Sequence, residues 1–349
     1  MSRFAVLPQP FVRPDVVAAG LSLRTMNRAV LSGELGLVSK NLYAVQPAWS
    51  LLTSWEAHRA MAEAAVRLTK DAIVSHASAA ALLGLPHPTH PPDHVTMTVL
   101  DDVRTSRGDT WRRLHRGATP YEHIVIQNGA PRFIAARTVI DCARELHPRD
   151  ALAIADGALR SGMVTHADLW AMRCHQRRWP KVTNANAVLF LADGRRENWL
   201  ESASAWAAHR WGLPVGVPQV VVLDRAGRFV ARPDVLWPDH GVAGEADGLG
   251  KYLLDGTSEE SVRRRLMAEE QRQAGLTDVG FEVVRWTPHE AVDGSDIHAR
   301  FMAAAQCSPT IDAELLCSCC GGSLGDCAVE AHLATWRRML TKELAQRMW

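Results

Sequence analysis

The chain has 349 residues, enough for two or three domains with cores of their own. With 47% hydrophobic and 22% charged residues and a net charge of +1, it reads as a soluble globular protein and excludes a general polycation. Any contact with nucleic acid then has to come from local basic patches. The N-terminus MSRFAVLPQPFVRPD lacks the apolar segment of a secretory signal. No apolar run approaches the ~18 residues that a bilayer span needs. Seven cysteines make an odd set, five of them near the end, and argue against a disulfide framework. The expectation is a cytoplasmic protein with no membrane partner.

The first unit covers residues 11–45. Residues 15–19 make a short helix stopped by Gly20. Ser22 suits the N-cap of a second helix over 23–32, and Gly33 is placed to end it. Leu23, Met26 and Val30 fall on one face of that helix, and Arg24, Asn27 and Arg28 on the other. GLVSKNLYAV reads as two short strands about the polar turn Ser39-Lys40-Asn41. Helix, turn, helix and small hairpin is the outline of a winged helix-turn-helix. In that outline Arg24, Asn27 and Arg28 reach base edges or phosphates, and Lys40 on the wing reaches the backbone of DNA. The other reading is a small helical domain whose polar face is solvated.

Residues 55–175 mix helices and strands. Helices are expected over 55–69 and 75–83, strands over 95–100 and 123–127, then helices over 138–146, 150–161 and 166–174. Asp150 and Thr165 are suitable N-caps and Gly162 a suitable stop. His87, His90 and His94 sit in a proline-rich loop with only Asp93 at ligand spacing, and read as solvated. Residues 176–186 are polar and basic and mark a linker or helix boundary. Beyond them come an amphipathic helix over 197–211, strands over 217–223, 228–237 and 242–247, a charged helix over 258–274, a strand over 282–286 and a helix over 296–306. The order is α-β-β-β-α-β.

In that last frame acids gather. Side chains two apart in a strand share a face, so Glu245 and Asp247 point the same way. Asp234 lies in the preceding strand, where cross-strand neighbours come within ~5–8 Å. Glu201 lies on the helix before the sheet. Four acids converging on one point repel each other unless a cation sits among them, and Mg²⁺ (or Mn²⁺) takes such oxygen ligands. Such an ion lowers the pKa of a bound water and neutralises charge developing on a phosphodiester. From spacing alone a second reading stands beside this one: Asp234 and Asp247 flank turns and are exposed, and Glu245 pairs with an arginine such as Arg232.

The ordered set of helix with Glu201, strand with RPDVLWPD, strand with GEADGLGKY, helix and strand EVVRW resembles the PD-(D/E)XK nuclease-like superfamily, and within it the branch related to the very-short-patch repair endonuclease. FVRPDVVAAGLSLRTMNRAVLSGELGLVSKNLYAV, followed by SHASAAALLGLP and RTVIDCA, resembles the AbiEi-type antitoxins of abortive infection. Together the two resemblances cover residues 8–306. The first implies a restriction-endonuclease-like core and metal-dependent DNA cleavage, with Asp234, Glu245 and Glu201 holding the metal. Asp247 stands where the superfamily commonly has lysine, and Lys251, four residues on, is the displaced candidate for the water-activating role. The second implies a different job: promoter binding through Arg24, Asn27, Arg28 and Lys40 and repression of a toxin operon, with a cognate toxin or a second copy as partner and an inert nuclease-like domain.

Residues 307–349 fall outside both resemblances. Cys317, Cys319, Cys320, Cys327 and His332 are enough ligands for zinc, but C-x-C-C-x6-C is not a usual ligand spacing. They read as reduced cysteines in a glycine-containing loop, ahead of an amphipathic helix over 329–349. The whole is expected to be an α+β protein in four parts: a winged helix-turn-helix at 1–54, a mixed α/β region at 55–185, a restriction-endonuclease-like α-β-β-β-α-β core at 186–306, and a cysteine-rich segment with a helix at 307–349. Its expected function is Mg²⁺-dependent DNA cleavage in phage defence or repair, with a non-enzymatic regulator or antitoxin as the alternative.

Overall fold

A computed structural model describes residues 2–69, 71–88, 90–99, 110–127, 129–247, 259–306 and 310–346. The protein is α+β, and its chain falls into two compact units, residues 1–142 and 143–349. No helix among the described residues is long and apolar enough to cross a membrane.

The first unit opens with α1 (Arg13–Ala18), where the Asp15 carboxylate accepts the Val12 N–H at 2.9 Å. In α2 (Leu23–Leu31) Met26 and Ala29 are buried while Arg24, Asn27 and Arg28 are exposed. Leu23, expected on the buried face, is 39% exposed, because only the middle of so short a helix reaches the core. The hairpin of β1 (Leu35–Ser39) and β2 (Leu42–Val45) turns at Asn41, whose φ of 61° is left-handed, a region asparagine tolerates. Lys40 is exposed beside it. Phe4, Phe11, Val16, Met26, Leu35 and Tyr43 form the core under these elements.

After α3 (Gln46–Trp49), α4 (Ser54–Leu68) starts from a capping box of Thr53 and Glu56. Then follow β3 (Ala72–Val74), α5 (His76–Leu82), β4 (Val95–Val99), β5 (Arg112–Arg116), β6 (Ile124–Gln127) and β7 (Ala130–Phe133). The strands form one sheet in the order β5-β4-β3-β7-β6. Three of them escape sequence reading. The strand β5, RRLHR, carries too much charge to look like one, and is tolerated at a sheet edge beside β4. Both β3 and β7 are too short for an alternating pattern. His87 stacks on Trp55 with centroids 4.1 Å apart, and His90 and His94 are exposed.

The helix α6 (Ala135–Glu145) leads into the second unit, which opens with α7 (Pro148–Arg160), α8 (His166–His175), α9 (Asn184–Leu191) and α10 (Trp199–Arg210). Thr165 caps α8 as expected, in a box with Asp168. Asp150 does not cap α7; His147 does, and Asp150 instead accepts the Trp199 indole N–H at 2.7 Å, tying α7 to the start of α10. The remaining elements are β8 (Val217–Pro218), β9 (Val221–Leu223), β10 (Phe229–Ala231), β11 (Val235–Trp237), β12 (Val242–Ala246), α11 (Glu259–Asp278), β13 (Glu282–Trp286), α12 (Pro288–Asp293), α13 (Ser295–Ala304), β14 (Glu314–Leu316) and α14 (Ala328–Gln346).

These strands make two sheets, ordered β13-β12-β11-β8 and β10-β9-β14. The runs 217–223 and 228–237, each expected as one strand, are both broken, and their halves belong to different sheets. The first break falls at Gln219, whose φ of 57° is left-handed and ends an extended ladder. The second falls at Arg232-Pro233-Asp234, where proline has no N–H to give a ladder. Between the sheet and α10, Gly244 leaves room for a ring: a Cβ there would lie 2.5 Å from Trp286 and 2.7 Å from Val235. Trp286 in turn donates its indole N–H to Ser204 on α10 at 2.7 Å.

A buried polar hub sets α10 on α7. Asp156 accepts hydrogen bonds from the Asp193 N–H at 2.8 Å, from Arg196 at 2.9 Å and from the Ser202 hydroxyl at 2.8 Å. Asp156 and Arg196 are 1% and 3% exposed. Removing one member of such a pair strands the other charge in the interior. Asp156→Ala is therefore expected to lower the unfolding free energy by about 3–5 kcal/mol, as read from denaturant unfolding against the parent protein.

Candidate active site

The two chain breaks lie at the same level of the larger sheet. Val235 of β11 faces Gly244 of β12 on one side and Pro218 of β8 on the other. One step back along β11, the same register sets Asp234 opposite Glu245 and opposite Gln219. Glu245 itself faces Arg285 of β13. One row across the sheet therefore reads Gln219, Asp234, Glu245, Arg285.

Asp234 is held in place from both neighbours. Its carbonyl accepts the Gln219 N–H at 3.2 Å, and its Oδ2 accepts the Ala246 N–H at 2.7 Å. The carboxylate thus completes the ladder where the backbone of β11 leaves it. Gln219 Nε2 donates to Asp234 Oδ1 at 3.4 Å and to Glu201 Oε2 at 3.0 Å, so one amide serves two acids. Glu201 arrives from the first turn of α10, whose N-cap is Asn198. Its carboxylate also accepts from the Glu197 N–H at 2.9 Å and from the Asn198 side-chain amide. All these donors are neutral. Glu201 is 5% exposed, and burial first, then the charge of Asp234, pushes its pKa up to about 7.

The other two acids are served differently. Glu245 lies 3.2 Å from Arg272 of α11, and Asp247 lies 3.9 Å from Arg285. Arg232, the expected partner of Glu245, pairs with Glu197 at 3.0 Å. The expectation of four acids meeting at one point is therefore corrected. Glu201 and Asp234 meet at Gln219, Glu245 is the next neighbour along the row, and Asp247 lies two rows beyond. Among the described residues, the groups of three or more side chains whose ligand atoms lie within 4.8 Å of one another do not include these carboxylates. The physical reason is charge: two arginines hold Glu245 and Asp247 on their own side of the row. Lys251 lies outside the described residues.

Beside Glu201 and Asp234 lies a small pocket with about 30 Å³ of free space, lined also by Ser204, Gly216, Trp237 and Trp286. Mg²⁺ is commonly held by one or two carboxylates, with water and substrate phosphate completing its shell. Glu201 and Asp234, which share the Gln219 amide beside this small pocket, offer two carboxylates for such an ion, and the four acids do not form one cage. Sequence reading passed over Gln219, Arg272 and Arg285. Gln219 carried a signal, a lone polar residue inside the β-branched run VPQVVVL; Arg272 is one of several arginines on a charged helix and carried none.

Glu201 makes stability depend on pH. Its carboxyl binds a proton more tightly in the folded chain, at about 7, than its ordinary value of 4.5 allows. The stability from this group is whole below that ordinary value and is lost as pH rises through the folded one, by ~3 kcal/mol. Glu201→Gln is expected to flatten this decline and to raise the melting temperature at pH 8 in metal-free buffer, as read from thermal unfolding of both proteins across that range.

No family model matches the chain. Two uncharacterized proteins of Mycobacterium tuberculosis, from strains CDC 1551 and H37Rv, are each 29% identical to it over 149 residues, 43% of this chain and 52% of theirs. The chain spans about half the length of these curated relatives.

Proposed function

We propose that the protein binds DNA through its N-terminal helices and hairpin, in the manner of a winged helix, and cleaves phosphodiester bonds with Mg²⁺ or Mn²⁺ in a nuclease-like site of its second unit. The observation that carries the reading is the pair Glu201 and Asp234, brought from a helix and a strand onto one neutral amide. The charge of Asp234 makes ionising Glu201 more costly, and a divalent cation would relieve it. Glu201 and Asp234 would hold the metal, with Glu245 as their neighbour; the ion would supply a more acidic water and neutralise charge on the phosphate. Gln219 orients both carboxylates. Glu201, with its pKa near neutrality, is suited to take a proton from an attacking water. Arg272 and Arg285, beside Glu245 and Asp247, offer positive charge to a phosphate, and Lys251 stays the candidate for activating the water. The exposed Arg24, Asn27, Arg28 and Lys40 support the DNA-binding half of the reading.

The arginine partners of Glu245 and Asp247 favour a second reading, a DNA-binding regulator whose nuclease-like unit is inert. One assay separates the two. Supercoiled plasmid with Mg²⁺ or Mn²⁺ is expected to be nicked by the parent protein, and at least ~100-fold more slowly by Asp234→Ala. Equal activity in both, or DNA binding with no nicking in either, leaves the regulator.

The DNA-binding half is tested separately by titration at several salt concentrations. Arg24→Ala with Arg28→Ala is expected to weaken binding and reduce the salt slope by about 2. Binding with an unchanged slope would place the DNA elsewhere on the molecule.

A further inference from the structure

Outside this site, Cys317, Cys320 and Cys327 carry chemistry that the proposed reaction does not use. Their sulfurs all lie within 4.8 Å of one another, and Cys320 Sγ is 3.6 Å from Cys327 Sγ. A disulfide needs ~2.05 Å. Sulfurs at the corners of a tetrahedron with ~2.3 Å arms, the zinc–thiolate length, lie about 3.8 Å apart. The observed spacing matches the second geometry.

The backbone is shaped for the same purpose. Cys317 and Cys320 stand in C-x2-C spacing, which the intervening Cys319 hides in the sequence. Gly321, with a φ of 70°, reverses the chain: its N–H reaches the Cys317 carbonyl at 2.8 Å, and the Cys317 N–H reaches the Gly322 carbonyl at 2.9 Å. The N–H groups of Cys319 and Cys320 point at the Cys317 sulfur. Those of Val329 and Glu330, in the first turn of α14, point at the Cys327 sulfur. Amide N–H groups aimed at sulfur are the hydrogen bonds that surround a metal-bound thiolate. Cys317 and Cys327 are 1% and 2% exposed, while Cys320 is exposed. His332, grouped with these cysteines in the sequence, has its ring 5.3 Å from that of His166.

We propose that Cys317, Cys320 and Cys327 bind one Zn²⁺ through their thiolates as a structural site, with the fourth ligand outside this trio. The ion would clip the end of β14 to the start of α14. That helix is anchored by Trp336, whose indole N–H meets the Leu189 carbonyl at 2.9 Å, and by Glu330, which contacts Arg195. Zinc binding is then part of the folding free energy of this corner.

The test uses the full chain, purified under reductant from zinc-supplemented cells. Metal analysis is expected to find about one zinc per chain. A chelator is expected to lower the melting temperature, and Co²⁺ in place of zinc to give sulfur-to-metal charge-transfer absorption. Cys320→Ser, at an exposed position that spares the core, is expected to lose the bound metal and the absorption, while Cys319→Ser and Cys174→Ser retain both. Reduced protein without zinc, zinc that survives Cys320→Ser, or a Cys320–Cys327 disulfide in freshly isolated protein would each overturn the site.

Discussion

Asp156 has to be satisfied where no water reaches it. Its carboxylate gathers the Asp193 amide, the Arg196 guanidinium and the Ser202 hydroxyl, and so joins α7, the loop after α9, and α10. A buried charge of this kind leaves little freedom, because any rotation of α10 that broke one of these bonds would strand a polar group. Ser202 follows Glu201 directly. The residue that fixes the helix therefore stands next to the residue that the helix presents to the sheet, and the aim of Glu201 at Gln219 follows from the hub beneath it.

On the sheet side the same economy of position holds. Asp234 replaces a missing rung of the ladder, Gln219 spends a left-handed backbone on turning the chain, and the side chains released at these two bends face each other. Neither bend lies in a loop of its own. The acids are positioned by backbone hydrogen bonds, which gives the pair a rigidity that side chains on a surface loop lack. Along the row, Arg272 lies against Glu245 and Arg285 near Asp247, while the Gln219 amide reaches both Glu201 and Asp234.

Much of this architecture is legible in the sequence, and what is not has identifiable causes. The helices over 13–18, 23–31, 54–68, 76–82 and 166–175 announce themselves through caps, glycine stops and apolar spacing. The hairpin at Asn41 is written in its turn residues. The unit of reading fails where a single apolar run serves two sheets, as at 217–223 and 228–237, because periodicity reports burial and not which neighbour does the burying. Pro233 was the available clue. Of the acids, Glu201 and Asp234 are found by pattern, but their closeness depends on Gln219, and the fate of Glu245 depends on Arg272 from a distant helix. In the tail, Cys319 masks the C-x2-C spacing that the folded turn makes plain.

The bends at Gln219 and Asp234 have a mechanical meaning. The β9–β10 hairpin of the smaller sheet joins the larger sheet through these two corners, while β14 reaches it from further along the chain. Any displacement of that hairpin would pull on Gln219 at one corner and Asp234 at the other. Phe229, 66% exposed, stands at the outer end of that hairpin, and Asp234 follows its return strand at the base.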